Sequence, residues 1–178
     1  MSNSKISALT SATTPLAGTE VVPIVQSGVT KKVPASAFMG YGPAFSVYRG
    51  GANQSLTTAT FTKVQLNSEE YDTNNNFDNA TNYRFTPTVA GYYQISGSVG
   101  LTGTNVRILC TIYKNGSEYF RGTDATANLS QVTVSALVYF NGSTDYVELY
   151  AYASFAGTSD IASGQKYTYL TGCMVRSA

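Results

Sequence analysis

The side chains that could do chemistry in this sequence are few, and most lie in one stretch. Glu69-Glu70 and Asp72 are the paired carboxylates, and they run into Asn74-Asn75-Asn76 and Asp78. Two acids facing each other across a cleft at about 5–10 Å could cleave a glycosidic bond. The stretch offers no aromatic platform for a sugar beyond Tyr71 and Phe77, however. The same Asp and Asn oxygens suit a hard cation such as calcium, but the EF-hand spacing is missing and a solvated polar loop is the simpler reading. Histidine is absent, which removes the commonest general base and the commonest metal ligand together. Gly97-Ser98-Val99-Gly100 and Gly100-Leu101-Thr102-Gly103 lack the Gly-Lys-Ser/Thr ending with which a loop cradles phosphate. These residues point to a protein that is not an enzyme, holds no cofactor and works through its surfaces.

Composition narrows the kind of surface. Charged residues make up 12% of the 178, about half the share usual in a soluble domain, so the exterior must be built from Ser, Thr, Asn, Gln and Tyr. That suits a protein exposed outside a cell or built into a particle. The net charge is +1 and Lys31-Lys32 is the one basic block. Nucleic acid, which calls for a basic stripe, is therefore excluded as a partner. Hydrophobic residues at 43% are enough for one sizeable core without disulfide or metal. Cys110 and Cys173 both read as small core residues in strands, with a disulfide between them as the alternative. Residues 1–8 lack the apolar run of a cleavable signal, and no run approaches the ~18 residues that span a bilayer. The expectation is no membrane insertion, with release from the cell by lysis.

The elements that would carry such surfaces are strands. Residues 1–40 hold three of the five prolines, Pro15, Pro23 and Pro34, and too few apolar residues to close a core. Two extended pieces are expected over 21–26 and 30–33, joined by a turn at Gln26-Ser27-Gly28. Such an arm gains order by packing on something else. Its expected anchoring residues are Val21, Val22, Pro23, Ile24 and Val25 with Lys31, Lys32 and Val33. Two glycines and a proline in Met39-Gly40-Tyr41-Gly42-Pro43 mark the boundary with a second domain over 41–178.

From residue 44 onward strands are expected over 44–49, 57–66, 83–87, 91–101, 106–113, 118–121, 132–140, 146–154 and 166–175. Asn115-Gly116 and Asn141-Gly142 each supply the two positive-φ residues of a type I′ hairpin turn. Val132, Val134, Ala136, Val138 and Phe140 share one face of their strand, and Val147, Leu149, Ala151 and Ala153 one face of theirs. The opposite faces carry aromatics, and the chain has fourteen tyrosines. Many short strands without a helical period mean an all-β sandwich or barrel. Aromatic outer faces are what a sandwich hides by cyclic association.

Two resemblances sharpen this reading. The string Ile6-Ser-Ala-Leu9, Pro15-Leu-Ala-Gly18-Thr-Glu20-Val-Val-Pro-Ile24-Val-Gln-Ser-Gly28-Val-Thr-Lys31-Lys-Val33-Pro-Ala-Ser36 resembles a segment at the N-termini of phage tail-fibre and other virion proteins. It implies a virion-surface location and partners among phage capsid or tail proteins. Phe61, Asn67, Tyr71-Asp72, Phe77, Tyr83-Arg-Phe85-Thr-Pro87 and Ala90-Gly91-Tyr-Tyr93-Gln-Ile95 resemble the C1q/TNF-like domain, with Ala44-Phe45-Ser46 similar to its first strand and residues 167–175 to its last. Ile95 and Cys173 depart from that pattern, where the family prefers aromatics.

The second resemblance implies a ten-stranded jelly roll that packs as a homotrimer, with Tyr93, Tyr113, Tyr139, Tyr150, Tyr152 and Tyr169 at the subunit contacts. Tyr93 also shares the parity of the core residues Ile95 and Val99. The implied function is a trimeric fibre or decoration subunit held to the particle by its arm. The rival is an adhesin head that binds a host-surface glycan through loops 72–82 and 122–130.

Overall fold

The computed structural model describes residues 20–35, 42–127 and 130–178. Residues 1–19 of the arm, residues 39–41 of the expected boundary and residues 128–129 of the second recognition loop lie outside the described residues. The chain divides into two compact units, Met1–Tyr41 and Gly42–Ala178.

In the first unit, β1 (Val21–Gln26) and β2 (Val29–Pro34) form an antiparallel hairpin. Ser27 at φ 54° and Gly28 at φ 77° make the tight turn, whose hand matches the twist of the strands it joins. The pair Val22↔Val33 lies beside Ile24↔Lys31 on one face, and Val21, Pro23 and Val25 lie on the other. A two-stranded ribbon cannot bury both its faces, so Val21, Val22, Val25 and Val29 stay exposed.

The second unit is a sandwich. Its strands are β3 (Ala44–Tyr48), β4 (Gln54–Ser55), β5 (Thr62–Lys63), β6 (Ser68–Asp72), β7 (Phe77–Asp78), β8 (Arg84–Phe85), β9 (Gly91–Gly100), β10 (Asn105–Lys114), β11 (Ser117–Ala125), β12 (Gln131–Phe140), β13 (Val147–Phe155), β14 (Asp160–Ile161) and β15 (Tyr169–Ser177). A six-stranded sheet runs β11-β10-β13-β8-β7, with β5 also paired to β13. A five-stranded sheet runs β12-β9-β15-β3-β6. Short β14 and β4 pair separately.

The alternation read from the sequence sets the core. Val132, Val134, Ala136, Val138 and Phe140 meet Val147, Leu149, Ala151 and Ala153 in one buried cluster. At its centre the rings of Phe45 and Phe85, from opposite sheets, lie 4.1 Å apart, and Phe85 also meets Tyr93 and Phe140. Tyr93 is wholly buried, with its hydroxyl donating to Val89 O at 2.8 Å. Burial pushes its phenol up to about 12. At one side the two sheets close on each other where β11 passes β12. Gly122 lies against Thr133 and Val134 there, with no room for a Cβ.

Three sequence expectations are corrected. Asn115-Gly116 does turn the β10–β11 hairpin, with φ of 53° and 81°, but Asn141-Gly142 is not a hairpin. Strand β12 pairs with β9 and β13 with β10, so residues 141–146 carry the chain from one sheet to the other. Only Gly142 has positive φ there. The Asn141 side chain instead accepts from the N–H groups of Ser143, Thr144 and Asp145, an Asx-type turn. Lys114 braces this crossing by donating to Tyr139 O at 2.7 Å and pairing with Asp145 at 3.1 Å.

The second correction concerns the strand expected over 57–66, which is broken. Ala59 takes φ 56°, and ladder contacts to β13 come piecewise, at Ala59 N to Ala153 O, Thr62↔Ala151, Lys63↔Tyr150 and Val64 N to Leu149 O. The third concerns the cysteines. Cys110 is buried as expected, but Cys173 is exposed, and both thiols are free. Leu170 and Gly172 take the inward parity of β15, which turns Cys173 outward.

The acidic loop is held by its own backbone. Asp72 accepts from Phe77 N at 2.6 Å and Asn74 N at 3.3 Å. Asp78 accepts from Thr81 N at 2.9 Å, Ala80 N at 3.1 Å, Asn82 N at 3.1 Å and Asn82 Nδ2 at 2.6 Å. The Thr81 bond is the main cause that lowers the Asp78 carboxyl from its ordinary 3.8 to about 2.

Two outcomes follow from this packing. Phe85→Ala opens a cavity among three rings and should destabilise the fold by about 3–5 kcal/mol in chemical denaturation; a loss under about 1 kcal/mol would place Phe85 outside the core. Because the folded state lowers the Asp78 pKa, the stability it lends is present above its ordinary value and lost as pH falls toward about 2. Melting temperature should therefore fall less steeply between pH 4 and pH 2 in Asp78→Asn than in the parent chain. Parallel curves would show that Asp78 does not anchor its loop.

Candidate functional site: the outer face of the five-stranded sheet

A sandwich core takes one face of each sheet and leaves the other outside. On the five-stranded sheet that outer face is set by strand parity. Strand β9 presents Tyr92, Gln94, Ser96 and Ser98, and β12 presents Gln131, Thr133, Ser135, Leu137 and Tyr139. Strand β15 adds Tyr169, Thr171 and Cys173. Val175 continues that parity, at a register shift after which Arg176 pairs with Tyr92.

The face has two characters. Its middle is small and polar: Gln94 Nε2 donates to Ser135 Oγ at 2.8 Å, and the hydroxyls of Ser96 and Ser135 lie 2.9 Å apart. One end is apolar. Tyr92 and Tyr139 are direct cross-strand partners with ring centroids 5.4 Å apart. They are each 41% exposed, beside Leu137 at 54% and Val175 at 55%. Together with residues 176–178 these four side chains line an open groove of about 670 Å³. Clustered apolar side chains left in water mark an interaction site more often than scattered ones do.

The six tyrosines expected at subunit contacts separate into three places. Tyr93 is corrected: it is a core residue, because β9 parity turns it inward and Tyr92 outward. Tyr139 and Tyr169 belong to the outer face of the five-stranded sheet, Tyr169 toward its other end. Tyr113, Tyr150 and Tyr152 lie on the outer face of the opposite, six-stranded sheet. They form a half-buried ridge there, with Tyr113 stacked on Tyr150 at 3.9 Å and Phe61 5.3 Å from Tyr152. Arg107 closes that ridge, lying over Tyr152 while it makes a two-pronged pair with Asp124.

Tyr92, Leu137 and Val175 were not on the expected list. The signal for all three was the alternation itself, since Val175 continues the parity of Tyr169, Thr171 and Cys173. The residues expected to anchor the arm, Val21, Val22, Pro23, Ile24, Val25, Lys31, Lys32 and Val33, all fall on the β1–β2 hairpin, in the first unit.

The acids do not assemble into a site. Glu69, Glu70 and Asp72 lie on the edge strand β6, where Glu70 accepts from Ser46 Oγ at 3.1 Å and Gln165 Nε2 at 2.6 Å. The oxygens of Asp72 and Asp78 accept from the N–H groups of their own loop. Among the described residues no cluster of three or more His, Cys, Asp or Glu is placed to hold a metal ion. The buried carboxylate of Glu148 is paired with Lys63 at 2.5 Å. Burial pushes the Cys110 thiol up to about 12, away from the thiolate a nucleophile needs.

No family model and no curated protein sequence matches the chain. Solved structures do. The globular domain of zebrafish complement 1qA protein is 18% identical over 76% of this chain and 99% of that one, with a TM-score of 0.56. The vertex protein P5 of phage PRD1 is 18% identical over 75% of this chain and 97% of that one, with a TM-score of 0.57. Murine APRIL is 9% identical over 75% of this chain and 99% of that one, with a TM-score of 0.59. Identities this low speak to architecture, and with the two sheets and their order they lead to one statement: the sandwich of this chain has the C1q/TNF-like jelly-roll fold.

Proposed function

We propose that the chain is a trimeric structural protein of a phage virion, a fibre or decoration subunit that displays its jelly-roll head at the particle surface and is anchored by its N-terminal arm. The observation that carries this reading is the uncovered apolar end of the five-stranded sheet. Tyr92, Leu137, Tyr139 and Val175 are held on a rigid sheet, and a second copy of the same sandwich can cover them. Cyclic association buries such a face without leaving a sticky end, and interfaces of this kind bury on the order of 2,000 Å². The resemblance to the C1q/TNF-like family implies a homotrimer, and the shared fold supports that reading. The likeness to the phage PRD1 vertex protein supports a virion location.

The proposed contact surface keeps Tyr139 and Tyr169 from the sequence reading and adds Tyr92, Leu137 and Val175. The ridge of Tyr113, Tyr150 and Tyr152 stays on the far sheet. The anchor is the β1–β2 hairpin, whose valines are exposed and whose outer edges pair with no strand among the described residues.

Leu137→Asp places a charge in the middle of the proposed contact. It should reduce the mass seen by light scattering from three copies to one, with an unchanged far-UV spectrum. An unchanged mass would remove Leu137 from the contact. Deleting residues 1–36 should leave a soluble trimer that no longer joins the particle; full occupancy of the truncated protein on virions would defeat the anchor. Binding of the isolated head to a glycan array, without binding of the full chain to particles, would replace the structural role with that of an adhesin.

A further inference from the structure

The two edges of the arm hairpin are not equivalent, and the difference follows from its register. A hairpin closed by a two-residue turn exchanges backbone bonds across the pair that flanks the turn, and then across every second pair. Here the flanking pair is Gln26↔Val29, so Ile24↔Lys31 and Val22↔Val33 are the bonded pairs that follow. The series extends one step further, since Ala35 N donates to Glu20 O at 2.6 Å. The intervening pairs, Val25↔Thr30, Pro23↔Lys32 and Val21↔Pro34, point their backbone groups outward.

Both prolines of the hairpin therefore sit where the missing N–H costs the internal ladder nothing. Their effects on the outer edges differ. On β1, Pro23 falls between Val21 and Val25 and removes the central outward donor. On β2, Thr30 and Lys32 present successive outward N–H groups, and Pro34 only ends the row. Among the described residues no strand pairs with either outer edge. Strand β2 also carries both charges of the ribbon, Lys31 and Lys32, whereas β1 from Val21 to Gln26 is uncharged.

We infer that the arm attaches by β-strand addition on the outer edge of β2, to an extended protein segment that has apolar side chains and at least one carboxylate to meet the lysines. Pro23 shields the β1 edge from the same pairing. This rests on the proposed anchoring role of the arm and specifies how that role is carried out. Main-chain pairing gives such a contact its affinity, and the alternating side chains give it selectivity.

The test is amide hydrogen exchange, resolved by residue, on the full-length protein free and bound to purified virions. The amides of Thr30 and Lys32 should slow by at least tenfold on binding, while those of Val21 and Val25 keep their free rates. As a second readout, Lys32→Pro removes one outward N–H at a position where the ladder tolerates proline, and should weaken particle binding about tenfold. Lys32→Gln, which keeps the N–H, should weaken it less. Binding with Val21 and Val25 protected instead, or with neither edge protected, overturns the edge assignment and leaves the anchor standing. Absence of binding, or equal binding without residues 1–36, overturns both.

Discussion

The structure depends on a limit that every two-sheet sandwich meets: the core uses one face of each sheet, and the other faces must be polar, covered or shared. This chain deals with its two outer faces differently. On the six-stranded sheet the aromatics Tyr113, Tyr150 and Tyr152 stack on one another, with Phe61 and Arg107 against them, so the ridge is half-buried within one copy. On the five-stranded sheet the middle is a hydroxyl and amide network, and the apolar end is uncovered. Among the described residues, the first face is covered by its own side chains and the second is not.

Charge is distributed in keeping with that division. Arg107 and Arg121 form a compact network with Glu118 and Asp124 on strands β10 and β11, of the six-stranded sheet. The central part of the five-stranded outer face has Ser, Thr, Gln and Cys in place of charges. Uncharged, small polar groups are inexpensive to remove from water when they already satisfy one another, whereas exposed ion pairs oppose burial. A sparsely charged chain can in this way combine a soluble side with one that tolerates contact. The hairpin repeats the logic on a smaller scale, with exposed valines on its faces and its β1 edge interrupted by proline.

Much of this was legible in the sequence because strands have a period of two. The alternations in β9, β12 and β13 identified Ile95 and Val99, the face from Val132 to Phe140 and the face from Val147 to Ala153 as core, and Asn115-Gly116 and Ser27-Gly28 marked turns by their backbone demands. The signatures around Phe85 and Tyr93 pointed to the right fold. What the sequence hid was pairing. Asn141-Gly142 reads like Asn115-Gly116, yet the flanking strands join different sheets, and the Asn141 side chain uses its acceptor on three backbone N–H groups. Short β6 and β7 carry too few residues for a periodic signal and arise only from contact with β3 and β8. Ring type says nothing about which side of a sheet a residue takes: Tyr93 turns into the core, while Leu137 and Val175 share the exposed end of the outer face with Tyr92 and Tyr139.

The mass of the unmodified full-length protein in solution tests the central claim most directly. Sedimentation equilibrium at micromolar concentration should give about 57 kDa, three times the 18.9 kDa chain. A stable species at the mass of one chain, with Tyr92, Leu137, Tyr139 and Val175 in water, would contradict the account.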